Sequence, residues 1–270
     1  MKPLDYRSHN RQAWDELAKA GNRFARPARS EDFIEPLASV DGPGWLGSSI
    51  TGMRLLCLAA GGGRQGPVYA AAGAKVTVVD ISDEMLELDR QIANREKLNI
   101  RVVETSMDDL SMFADRSFDI VIQPVSSCYI PNPKIMFDQI ARITEVGGTY
   151  ISQHKQPASL QSSIQPGTEG YTWKHLANTE KPLPEMKTEN LVREQGTLEF
   201  AHSLQMLLGE MCRSGFQIHD LIEPDHADRS AASGTFEHRS AFIAPYVRVL
   251  AKRNSNPARS ASCQIWQPDD

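Results

Sequence analysis

From Met53 onward, short and uniformly apolar runs recur along the chain: MRLLCLAA, KVTVVDI, IRVVE, FDIVIQ and GGTYISQ. Helices are predicted between several of them, after Gly66, over 83–97 and over 133–144, from apolar residues at helical spacing. Strands with no polar alternation are buried on both faces, and intervening helices make crossover connections the natural choice. The pattern therefore predicts a parallel α/β sheet. Before it, a helix over 9–20 places Ala13, Trp14, Leu17 and Ala18 on one side, and a connection punctuated by Pro27, Pro36 and GPGWLG follows. After Ser152 the rhythm stops until about residue 196, in a stretch rich in Pro, Gln, Ser and Thr, and a loop of that length is functional or disordered. A helix over 198–213 is predicted next, then two closing strands in FQIHDLIE and PYVRVLAKR. The tail from 253 to 270 has no periodicity and reads as mobile.

Composition narrows the class without naming a function. The chain has 270 residues, 40% hydrophobic and 23% charged, which is ordinary globular usage. Its 29 basic and 34 acidic residues give a formal net charge of −5, so no general attraction to nucleic acid is expected. Cys57, Cys128, Cys212 and Cys263 form no CxxC pair and read as reduced thiols of a cytoplasmic protein. His226 and His238 have acidic neighbours but no ligand spacing, so no metal site is expected. No segment approaches the ~20 apolar residues of a membrane span, nor does the charged N-terminus resemble a signal peptide.

The chemistry concentrates in LLCLAAGGGRQG, residues 55–66, a strand entering a glycine-rich turn that opens a helix, with Asp80 closing the next strand. Glycines let the backbone approach a ligand, amides at a helix N-terminus favour an anionic group, and a carboxylate at the second strand end can accept hydrogen bonds from ribose hydroxyls. Gly61, Gly63 and Gly66 also satisfy GxGxxG, so a nicotinamide-dependent oxidoreductase and a non-catalytic cofactor-binding protein both stay open at this point. So does a turn that binds nothing.

The stretch 53–152 resembles the class I S-adenosylmethionine-dependent methyltransferases, particularly those with the type 11 methyltransferase domain. Leu56, Cys57, Leu58, Ala59, Ala60, Gly61, Gly62 and Gly63 align with the family's first strand and turn. Cys57 stands in place of an acid that helps organise the turn and the cofactor's amino-acid moiety, and Ala59 in place of the first glycine. Val146, Gly147 and Gly148 match the turn before the fifth strand. The resemblance implies a Rossmann-like, doubly wound, seven-stranded and mostly parallel sheet, with an antiparallel last strand and a long insertion after strand 5.

It implies S-adenosylmethionine as cofactor, held by Ala59, Gly61 and Gly63 in the turn, by Asp80 at the ribose and by Ile81 on the adenine. Ser106, the Met107 backbone and Asp108 are the candidates for the adenine amine, because Ser106 occupies the place of the family's acid. Gln123, ending the fourth strand, joins the cofactor-binding set. The expected reaction is methyl transfer to a small-molecule acceptor. Tyr129, just past the fourth strand, would line the acceptor cleft or pack on the following helix. His154, at the expected end of the fifth, would point into that cleft as general base or as a hydrogen-bonding group, with Lys155 lowering its pKa. One domain over 1–252 is expected: a helical cap (1–50), a cofactor-binding core (53–152), a lid or substrate insertion (153–196), and a helix with the last two strands (197–252). Residues 6–17 and 153–196 are expected to form the lid.

Overall fold

The structure is a computed structural model that describes residues 5–186 and 192–254. In chain order it contains α1 (Tyr6–Lys19), α2 (Pro36–Val40), β1 (Arg54–Leu58), α3 (Gln65–Ala71), β2 (Lys75–Asp80), α4 (Asp83–Arg95), β3 (Ile100–Glu104) and β4 (Phe118–Gln123). Then come α5 (Pro133–Ile143), β5 (Thr144–Lys155), α6 (Pro157–Gln161), α7 (Glu210–Arg213), β6 (Phe216–Ile222), α8 (Phe236–Ser240) and β7 (Tyr246–Arg253). The seven strands form one sheet in the order β3-β2-β1-β4-β5-β7-β6. β1 to β5 are parallel, whereas β7 runs antiparallel to both of its neighbours.

Side-chain alternation explains why this stretch of sequence makes a two-sided sheet. Leu56 and Leu58 of β1 face one way, into a cluster with Val121 of β4 and Met136, Phe137 and Ile140 of α5. Leu55 and Cys57 face the other, with Val76 and Val78 of β2, Tyr69 of α3 and Leu86 of α4. The helices begin where their caps dictate. The Asp5 carboxylate accepts from the Ser8 amide, Ser82 Oγ from Met85 N, and Asn132 from Lys134 N with Pro133 in the first turn. Strand order reverses between β1 and β4, which opens a crevice at the carboxyl ends of the strands.

The expected helix over 198–213 is shorter than its sequence suggested. Helical structure begins with a π turn at Gln205–Gly209 and continues only through α7. Upstream, the backbone is committed elsewhere: Phe200 N donates to Cys128 O, the Leu183 amide to Glu199 O, and the Asn178 amide to Ala201 O. These tertiary bonds replace the i to i−4 ladder. Of the tail, Arg253 closes β7 and Asn254 N bonds to Gly215 O. Residues 255–270, with Cys263, lie outside the described residues.

Candidate active site

The turn after β1 is shaped by close contacts on its inner side. Ala59 adopts a left-handed φ of 49°, which an alanine tolerates at a cost of roughly 1–2 kcal/mol. Gly61 donates its amide to Asp80 Oδ2 at 2.9 Å, and a Cβ there would stand 2.8 Å from Met85 Cβ and 3.1 Å from the Asp80 carboxylate. The other Asp80 oxygen accepts the Ser82 amide at 3.0 Å. Burial raises the Asp80 pKa despite those amides. Gly62 and Gly63 turn their amides inward, to the buried Asp89. The anion-binding amides expected of this turn are thus occupied by protein carboxylates.

A cavity of about 940 Å³ lies over the carboxyl edge of the sheet. Ala59, Gly61, Asp80, Ile81, Ser106, Met107 and Gln123 all line it, as does Tyr129. Gly63 and Asp108 do not. Gly63 packs against α4, where a Cβ would approach Leu88 O to 2.7 Å. Asp108 turns away toward α1, bonded by the Tyr6 hydroxyl and Ser106 Oγ and paired with Arg7 at 3.0 Å. Burial pushes the Asp108 carboxyl up, but the bonds from Ser106, Tyr6 and Arg7 outweigh it and hold the pKa below its usual value. Gln123 shows the cavity little polar surface, because Oε1 accepts from Tyr150 OH and Nε2 donates to Ser126 Oγ at 2.8 Å.

Helix α1 roofs the cavity through Tyr6, Arg7, Asn10 and Trp14. Asn10 fastens it: Nδ2 donates to Tyr129 O and Leu198 O, and Oδ1 accepts the Leu198 amide at 2.7 Å. From Asp80 the cavity passes Gln123 and reaches Gln153, Tyr246 and Arg248, that is, from β2 across β4 to β5 and β7. His226 stands on its rim, edge-on to Tyr246.

The far wall holds a buried charge cluster. Tyr129 OH donates to Glu194 Oε2 at 2.8 Å, and Lys155 Nζ donates to Glu194 Oε2 at 2.5 Å and Glu199 Oε2 at 3.0 Å. Burial opposes the Lys155 charge, but the two carboxylates more than offset it and raise its pKa. Burial likewise opposes ionisation of Glu194, yet Lys155 and Tyr129 keep it below the usual carboxylate value. The Tyr129 hydroxyl is pushed well above its ordinary pKa by burial and by Glu194, so it stays a donor.

His154 is not in the cleft. It is fully buried, with Nδ1 2.8 Å from Ser127 Oγ and Nε2 2.8 Å from Ser152 Oγ, and it packs on Phe137. Burial, helped by His202, lowers its pKa to about 3. Lys155, expected to depress it, points the other way, toward Glu194. The cause of the misplacement is the length of β5, which continues to Lys155 because His154 and Lys155 still pair with Val247 and Tyr246 of β7. Glu194 went unrecognised in the aperiodic stretch before residue 196, where no pattern marks it. Trp14 was visible as part of the first helix's apolar side, though not as a cavity wall.

Comparison with known proteins was made on this framework. The family model described as "Methyltransferase domain" matches residues 56–152. A protein of Bacillus subtilis (strain 168), described as uncharacterized methyltransferase YbaJ, is 34% identical over 230 residues, 80% of this chain and 89% of the relative. The chain belongs to the class I S-adenosylmethionine-dependent methyltransferases. A demethylmenaquinone methyltransferase of Clavibacter sepedonicus is 33% identical over 103 residues, 38% of this chain and 41% of that one. An S-adenosylmethionine-dependent methyltransferase of Mesorhizobium loti has the same fold, with a TM-score of 0.60 at 21% identity, covering 79% of this methyltransferase and 97% of that chain. Membership sets aside the nicotinamide reading of Gly61, Gly63 and Gly66. Among the described residues, no helix of this methyltransferase is long and apolar enough to cross a membrane.

Proposed function

We propose that this methyltransferase moves the methyl group of S-adenosylmethionine to a small organic acceptor seated over β4, β5 and β7. The observation that carries the reading is one cavity, continuous from Asp80 to a wall made by Trp14, Tyr129, Glu194 and Tyr246 and roofed by α1. A covered chamber of this kind suits a small molecule better than a polymer. The acceptor for which the Clavibacter relative is named, demethylmenaquinone, is a small molecule too.

The residues present fit the cofactor. Asp80 keeps lone pairs free after accepting one amide on each oxygen, as ribose hydroxyls require, and the missing Cβ of Gly61 lets that carboxylate and Met85 close onto the turn. Ile81 and Met107 offer apolar surface to the adenine, with Ser106 at its polar edge. Ala59 and Gly61 present backbone to the amino-acid moiety. Gly63 and Asp108 act one step back, the first by seating α4 and the second by holding α1.

Bound there, the cofactor supplies an electrophilic methyl, so the protein's task is to align the acceptor and exclude water. Glu194 would accept a hydrogen bond from the acceptor's O–H or N–H, and Tyr129 fixes that carboxylate rather than serving as a base. Incubation with methyl-labelled cofactor and a cell extract tests the reading. Label is expected in the small-molecule fraction, reduced in Glu194→Gln, and label in protein or RNA instead would overturn it.

A further inference from the structure

Two glycines of the turn, and a third in the first turn of α3, lie against α4. An added Cβ would stand 2.8 Å from Met85 Cβ at Gly61, 2.7 Å from the Leu88 carbonyl at Gly63, and 3.0 Å from Asp89 Oδ1 at Gly66, where Val78 Cγ2 of β2 is closer still at 2.4 Å. Met85, Leu88 and Asp89 all belong to α4. The glycines therefore let α4 come down onto the turn closely enough for one of its side chains to enter.

That side chain is Asp89, fully buried and one helical turn beyond Leu86. Its Oδ2 accepts the Gly62 amide at 2.9 Å and the Gly63 amide at 3.1 Å, while Oδ1 has no hydrogen-bond partner. An aliphatic α4 contact would be the cheaper way to fill such a site, because a buried carboxyl with one unsatisfied oxygen is costly. Beneath the same turn, β1 carries Cys57, at the position where the family resemblance implies an acid that organises it. Cys57 pairs with Val78 of β2 and packs in one cluster with Leu86 of α4, and a Cβ at Gly66 would meet both Val78 and Asp89 Oδ1, so the two side chains share one neighbourhood; burial, helped by the charge of Asp89, pushes the Cys57 thiol up.

We propose that Asp89 replaces the acid absent from β1: the carboxylate that sets the cofactor turn comes from α4 and, by holding the Gly62 and Gly63 amides from beneath, presents Gly61 and Gly62 to S-adenosylmethionine. It is a positioning residue, since it lines no part of the cavity. The cysteine on β1 and the acid on α4 are then two halves of one exchange, because a second carboxylate at position 57 would face Asp89 in a buried space.

Calorimetric titration with S-adenosylhomocysteine, run beside thermal unfolding of each variant, tests this. Asp89→Ala is expected to weaken binding about tenfold or more, and Asp89→Asn, which keeps an oxygen on the two amides, by less. Moving the carboxylate back, in Cys57→Asp with Asp89→Ala, is expected to restore affinity to within about threefold of the parent, an effect available only if the two sites are coupled. A folded Asp89→Ala or Asp89→Asn that binds as tightly as the parent would make the buried acid a matter of stability alone and overturn the proposal. So would a double variant that binds no better than Asp89→Ala. Should Asp89→Ala fail to fold, Asp89→Asn and Cys57→Asp with Asp89→Asn carry the same comparison.

Discussion

Asp108→Ala should unlatch the N-terminal helix from the cofactor edge. The carboxylate receives the Tyr6 hydroxyl and Ser106 Oγ and pairs with Arg7. A hydrogen bond to a charged group contributes about 1.5–3 kcal/mol, whereas Arg7, with 45% of its side chain exposed, adds no more than about 1. Ser106 sits on the same side of the latch as Asp108, so of the three interactions that Asp108 makes only those with Tyr6 and Arg7 reach α1, together about 2–4 kcal/mol. If that free energy governs local opening, amide exchange in the first turns of α1 should accelerate roughly 30- to 1000-fold. Opening should stop at Asn10, which is bonded independently to Tyr129 and Leu198. The same variant should release S-adenosylhomocysteine about tenfold faster in stopped flow, because Tyr6 and Arg7 roof the cavity. Asp108 has a depressed pKa, so its contribution is present above the ordinary carboxylate value and lost only as pH falls through the lower folded one. Tyr6, pushed up to about 12 by burial and Asp108, stays a donor throughout. The latch is therefore expected to be insensitive to pH between about 6 and 8. Unchanged exchange over residues 6–10, with unchanged release, would refute this account of α1.

Asp80→Ala should weaken S-adenosylhomocysteine binding by about 1–3 kcal/mol in calorimetry, and normal binding would place the ribose elsewhere. His154→Ala should cost about 1–3 kcal/mol of stability by orphaning Ser127 and Ser152, while turnover keeps its pH profile; a hundredfold slower reaction with a displaced acid limb would return His154 to the chemistry. Lys155→Met leaves two buried carboxylates, Glu194 and Glu199, with only Arg193 as a cationic partner among the described residues and should cost about 3–5 kcal/mol in urea unfolding, with part regained by adding Glu194→Gln. A loss below about 1 kcal/mol would contradict the buried cluster. Burial raises Asp89 to about 7, so the folded state holds an extra proton above pH 4 and stability from this group falls as pH rises through 7. Asp89→Asn should flatten that slope, by up to about 4 kcal/mol between pH 4 and 8, and an unaltered slope would show that the proton sits elsewhere.

What the sequence made legible follows from where each feature gets its order. The parallel sheet could be read from its apolar runs because every strand from β1 to β5 meets a core on at least one face. The groups proposed for the cofactor fall along one cavity because they sit at strand ends: Ala59 and Gly61 after β1, Asp80 and Ile81 at β2, Ser106 and Met107 after β3. Those proposed for the acceptor had no such signal. Glu194 and Glu199 are ordered by Lys155, thirty-nine and forty-four positions away in the chain, and no local period announces such a bond. His154 was misjudged through the strand's length, because pairing with β7 keeps β5 extended past Ser152 and leaves His154 facing Phe137. The glycine turn was legible as a turn but not in its reason, since the contact that demands Gly63 comes from α4 and those at Gly66 from Val78 of β2 and Asp89 of α4.

The buried cluster also constrains the acceptor, on the proposed reading of the cavity. Burial alone would protonate Glu194 and turn it into a donor; Lys155, with Tyr129, keeps it an anion that only accepts. Placing an ammonium, the Arg193 guanidinium and two carboxylates out of water is weak evidence of a gain in stability, so the cluster is better explained by what it imposes on the cavity wall. It imposes a fixed hydrogen-bond acceptor, which selects a substrate bearing an O–H or N–H near the methyl donor. A site built to receive such a proton rejects an analogue that lacks it by up to about 10⁴–10⁵, far more than it rejects a change of one methylene. Substrate analogues that replace the hydroxyl or amine by hydrogen should therefore fail as ligands as well as acceptors. Analogues altered in bulk beside Trp14 and Tyr246 should lose only about 10- to 200-fold. Equal tolerance of both changes would mean that Glu194 never meets the acceptor, and that the polar partner has to be sought on the rim, at His226 or Arg248.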